Sequence, residues 1–247
     1  MKTSGDEAAS CNGPGPDPAR LVRLGMAQGA LVLAAGLNLR FVAVPVGAAP
    51  LMMWHHMISM LLVTPLALAL AFLILHELER GRADARRVLA LFLFSSAWVA
   101  VAMGVHEPVN QLQIKLRLLG DLSPAGQTMT FLDESLSHWV LFAGYAGLCL
   151  AWAWGQARNP LDRPLKGWMW AAFYLAGLSG AAGIVAALWK DPWPGLIREL
   201  AVLAAVVVGC ELFRRRGGPR RRQPLTACLQ LSNALAFAVL LVKGLIK

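Results

Sequence analysis

The stretch RRVLALFLFSSAWVAVAMGVHE, residues 86–107, decides how the chain folds. Two arginines are followed by an uncharged run from Val88 to Val105 before His106 and Glu107 close it. At about 1.5 Å per residue such a run covers roughly the 30 Å of a hydrocarbon core, and its lack of charge suits no surface helix of a soluble domain. It reads as a membrane-spanning helix. The same pattern recurs along the chain and predicts spans over 25–47, 52–75, 87–107, 134–156, 167–189, 196–213 and 226–245. Composition agrees: of 247 residues 57% are hydrophobic and 15% charged, with a mean hydropathy of +0.55. A soluble domain carries about 25% charged residues. The sequence therefore predicts an all-α integral membrane protein, a bundle of seven transmembrane helices. Residues 1–19, rich in Gly and Pro, read as a disordered tail, and 20–247 as a single transmembrane domain.

Charge fixes the expected orientation. Arg20 and Arg23, then Arg80, Arg82, Arg86 and Arg87, then Arg158, Arg163 and Lys166, then Arg214 to Arg216 and Arg220 to Arg222 all fall in alternate connections. The opposite connections hold only Lys115, Arg117 and Lys190. The positive-inside rule then places the N-terminus in the cytoplasm and the C-terminus outside, as seven spans require. The net charge of +9 is accounted for by this bias and implies no nucleic-acid partner. The lipid bilayer is the expected partner, and a bacterial inner membrane the expected location; oligomeric state is not readable. The cysteines do not form a disulfide framework, because Cys149, Cys210 and Cys228 fall inside apolar spans as small hydrophobes. Gly177, Gly180 and Gly183 are predicted to let a neighbouring helix approach closely. The longest connection, 108–132, contains QLQIKLRLL, which has the pattern of an amphipathic helix lying on the membrane.

Polar residues are expensive inside a bilayer, so those in the spans are the functional candidates. In the predicted orientation they gather at the outer face. His55 and His56 open the second span, His106 and Glu107 end the third, and Asp133, Glu134, Ser137 and His138 open the fourth. On a regular helix Glu134 and His138, four apart, share a face. His106, His138 and Asp133, with His55 or His56, make a nitrogen and oxygen set of the kind that binds zinc, with Glu107 or Glu134 as general base and Ser137 alongside. An acidic pair at a helix start is also what the helix dipole favours without any metal. Arg198 and Glu199 are expected to pair, and Gln230 and Asn233 to hydrogen-bond a neighbouring helix.

The order of Ser95 or Ser96, His106 and then LDE at 132–134 resembles the arrangement in the alkaline ceramidases and their seven-helix relatives, the CREST superfamily. That resemblance implies a zinc-bound water that hydrolyses a lipid-like amide, with His106 and Asp133 as ligands and Ser95 or Ser96 in support. Residues 226–247 contain no histidine, so His55, His56 and His138 take the place of the last-helix pair of that family. A second segment, WHHMISMLLVTPLAL at 54–68, is similar to the His-Met segment of CtaG-type proteins linked to copper delivery. It offers His55, His56, Met57 and Met60 as copper ligands. Facing histidines, His55 or His56 with His106 or His138, are the corresponding set for a haem. Lys243 lies too near the membrane boundary for a retinal lysine and is expected to snorkel.

Overall fold

The computed structural model describes residues 15–41, 45–46, 49–80, 82, 84–118, 120, 123–189 and 193–246. Among them seven helical rods alternate in direction from one to the next along the chain. The first, α1, is Pro18–Phe41, followed by a short antiparallel hairpin of Pro45–Val46 and Ala49–Met53. Rod α2 (54–78) joins Trp54–Ile58, a π-helical turn Ser59–Val63, and Thr64–Leu78. Rod α3 is Arg86–Leu118. Rod α4 (124–158) joins Pro124–Thr130, a second π segment Phe131–Ser137, and His138–Arg158. The last three are α5, Gly167–Leu188; α6, Trp193–Arg216; and α7, Pro224–Ile246. Six of these rods are long and apolar enough to cross a membrane. The exception is α6, which carries Arg198, Glu199 and Glu211 within its length.

The rods close into a ring in the order α1, α2, α3, α4, α6, α7, α5 and back to α1. Chain order and ring order part company after α4, because α7 packs between α5 and α6. The glycines of α5 seat two neighbours. A Cβ on Gly180 would stand 2.7 Å from Ser232 Oγ of α7, and one on Gly183 would strike the Val32 carbonyl of α1. Gly29 answers from α1, where a Cβ would come within 2.7 Å of the Ala176 carbonyl oxygen. These small residues let backbones touch where lipid supplies no hydrophobic drive for association.

One end of the ring is basic and tightly tied. Glu77, fully buried, accepts from the Asp17 backbone N–H at 2.7 Å and pairs with Arg20 at 3.3 Å. Asn159 donates to the Leu78 carbonyl at 2.9 Å, and Gln223 to the Arg214 carbonyl at 2.9 Å. Gln156 accepts from both the backbone N–H and the hydroxyl of Thr226. His76 here is exposed and stacks on Phe72. Cys149, Cys210 and Cys228 are free and buried. Tyr145 donates to Asn233 at 2.9 Å and Gln230 to Glu211 at 3.0 Å, so these two polar residues of α7 serve different neighbours, α4 and α6.

The connection expected at 108–132 is largely helix. Rod α3 continues through Pro108 to Leu118, and α4 begins at Pro124, so the two rods, each about 50 Å long, form a hairpin. The stretch 111–118 thus extends a spanning rod and is no separate helix lying on the membrane.

Candidate functional site at the histidine end

Each of the three rods that bring candidate residues together is irregular at that level. Rod α2 widens into its π turn at Ser59–Val63, α3 holds Pro108, and α4 widens at Phe131–Ser137. Single π turns within α-helices concentrate at functional sites because they re-aim side chains that regular winding would turn away.

On α4 this changes which side chains face inward. Asp133 and Ser137 are buried, at 3% and 2% exposure, whereas Glu134 is exposed. The shared Glu134–His138 face expected for α-helical winding is therefore absent, since i to i+5 bonding shifts the phase between them. Glu134 contributes its backbone carbonyl, which accepts from Arg198 at 3.1 Å. Asp133 Oδ1 lies 2.7 Å from His106 Nδ1. The Ser137 hydroxyl donates to the Asp133 carbonyl and lies 3.4 Å from the same His106 nitrogen. A serine nucleophile needs the imidazole nitrogen opposite the carboxylate, so Ser137 is an orienting group here.

His138 lies with its ring centroid 5.0 Å from that of His106, edge to face. Its Nδ1 is 2.7 Å from Arg198 NH2. A guanidinium only donates, so Nδ1 accepts and the proton of neutral His138 sits on Nε2. Arg198 also pairs with buried Glu199 at 3.4 Å and lies over the rings of Trp139 and Phe142 at 5.8 and 5.5 Å. The expected Arg198–Glu199 pair is present, and Arg198 additionally ties α6 to α4.

A second group adjoins the first through Glu107. Buried His56 has its Nε2 3.7 Å from Glu107 Oε2 and 3.2 Å from Gln111 Nε2, and Ser59 hydrogen-bonds Glu107. Sequence reasoning passed over Ser59 and Gln111, although Ser59 is three residues from His56 and Gln111 four from Glu107, spacings that share a helix face. The side chain of His55 lies outside the described residues.

The expected zinc set is thus divided. His106, His138 and Asp133 meet, while His56 is held by Glu107 and Gln111. Among the described residues no group of three or more His, Cys, Asp and Glu side chains is arranged to hold a metal ion. The chemistry agrees: Asp133 faces His106 Nδ1, and His138 keeps N–H on the nitrogen that Arg198 leaves free. Its only lone pair is directed at a cation. Ser95, proposed to support a metal, packs under Gly144 near mid-rod, eleven residues or about 16 Å along α3 from His106. Lys243 is buried against Trp189 and donates to the Leu188 carbonyl, where snorkelling was expected.

These features define a polytopic helical membrane protein with a buried acid–histidine–arginine cluster at the end of the ring opposite its basic connections. No protein-family model, no curated protein and no solved structure matches the chain.

Proposed function

We propose that the protein is a membrane hydrolase of a lipid-like amide, working from the histidine end of the ring, with that end on the outer side of a bacterial inner membrane. The observation that carries this reading is the His106–Asp133 contact beside an N–H-bearing His138. A carboxylate on Nδ1 holds the proton there and leaves Nε2 of His106 as a base. His138, with Nε2–H, is a donor positioned next to it, and Arg198 reinforces that polarity. In the proposed step His106 takes a proton from water, and the hydroxide adds to the amide carbonyl as charge develops towards His138. The C–N bond then breaks, the amine leaves with the proton from His106, and the carboxylic acid remains. Asp133 positions His106, and Ser137 positions Asp133.

The side chains favour a neutral head group. Glu107, Asp133 and Glu199 are all buried at this end of the ring, and the Arg198 guanidinium pairs with Glu199, so an anionic head would meet an excess of carboxylates. An amide or hydroxyl donates to them.

The test is hydrolysis of short N-acyl amides by protein reconstituted in nanodiscs, with elemental analysis of the same sample purified without added metal. Turnover abolished by His106→Ala and reduced at least a hundredfold by Asp133→Asn supports the dyad. Stoichiometric zinc that disappears in the His106→Ala, His138→Ala double variant would replace it with a metal-centred reaction. Absence of turnover on amides and esters alike would overturn the hydrolase.

A further inference from the structure

The ring encloses a cavity of about 220 Å³, lined by residues of α1, α2, α3, α4, α5 and α7. Its lining is almost wholly apolar. Its upper end is lined by Leu141, one turn along α4 from His138, and by Val99, two turns along α3 from His106. It runs down past Tyr145 to Trp152 and Leu225 near the basic end. Along α4 that is eleven residues, or about 16 Å. A well-packed interior does not leave such a space, and an apolar cavity of about 150 Å³ already takes up a benzene-sized guest.

We infer that this cavity holds the hydrocarbon chain of a single-chain amphiphile whose head group lies at the His106–His138 cluster. The inference rests on reading that cluster as a head-group site and adds to it the substrate class: one chain, of limited length. At roughly 30 Å³ for each water-sized group, the volume admits about seven methylenes. A longer chain must leave the cavity, and a second chain has no place in it.

One lining residue gives an independent handle. Gln28 Oε1 is buried, lines this cavity and has no hydrogen-bond partner. A saturated chain laid against it leaves that acceptor unpaired, which opposes binding.

The experiment is calorimetric titration of n-alkanamides, from butanamide to dodecanamide, into protein in nanodiscs, with empty nanodiscs subtracted. Affinity referred to free amide should rise about fourfold for each methylene and then stop rising near seven or eight carbons. Partition into the bilayer has no such break. Ala71→Leu, which fills the cavity towards the basic end, should move the break about three carbons shorter, and Gln28→Leu should tighten binding of the longer amides severalfold. Should Ala71→Leu fail to fold, Gln28→Leu decides alone. A steady rise through dodecanamide, a break that folded Ala71→Leu leaves in place, or binding of the longer amides that Gln28→Leu does not tighten would overturn the cavity site whether or not the protein hydrolyses amides. A break without hydrolysis would leave the chain site standing and remove the hydrolase.

Discussion

Replacing Arg198 by alanine takes the guanidinium away from Glu199, which is 1% exposed, and from His138 and the Glu134 carbonyl in the same step. Removing one member of a buried ion pair costs about 3 kcal/mol because the remaining charge has no water to turn to. The variant should melt well below the parent in detergent, and Arg198→Lys should recover only part of the loss, since an ammonium lacks the planar fork that reaches three acceptors. A parental melting temperature for Arg198→Ala would show that the pair carries no structural weight. At the other end, Glu79 follows the last turn of α2 and is buried, and desolvation raises its pKa above the ordinary carboxylate value despite Arg158 and Arg82 nearby. The folded chain then holds this proton more tightly than the unfolded chain. Its contribution to stability is complete below the ordinary carboxylate pKa and is lost as pH rises through the raised value. Glu79→Gln should accordingly raise the melting temperature at pH 7 and flatten its decline as pH rises above the ordinary carboxylate pKa. An unchanged slope in that variant would assign the pH dependence to other groups.

The π segment of α4 sets the phase between Asp133 and His138 by one residue. Deleting Ser135 should restore regular winding, turn Asp133 away from His106 and abolish amide binding, while circular dichroism keeps its helical content. Binding that survives the deletion would mean that the widened turn has no part in the site. This element also marks how far the sequence could be read. The starts of α2, α3, α5, α6 and α7 were legible to within about three residues, whereas α1 begins seven residues before the expected 25 and α4 ten before the expected 134. The extent of α3 was not legible, since Pro108 and the glutamines after it have the look of a helix end. Nor was the phase of α4, because a π turn leaves no periodic signature and FLDESLS fits a regular turn equally well. His106 and Asp133 were legible as partners because both sat at one predicted level. The tie between Arg198 and His138, sixty residues apart, depends on α6 packing against α4, and no local pattern announces it.

For the whole molecule, topology turns on α6, whose charged pair near its start faces protein: Glu199 is buried and the Arg198 side chain is only 15% exposed. Seven crossings put the two ends of the chain on opposite sides, and six put them together. Alkaline phosphatase fused after Lys247 should be active and green fluorescent protein at the same position dark; the reverse result would leave α6 outside the bilayer or invert the orientation. The ring order has a consequence for how the protein is made. Rods α5 and α6 meet through α7, which leaves the ribosome after both of them. Until α7 slides between them the ring has a gap, through which lipid can reach the interior that will become the cavity. Insertion of α7 is therefore the closing act of assembly. A nascent chain stalled after Arg222 would present that open seam to whatever surveys unfinished membrane proteins, with the cluster around His106 already in place and nothing yet to enclose it.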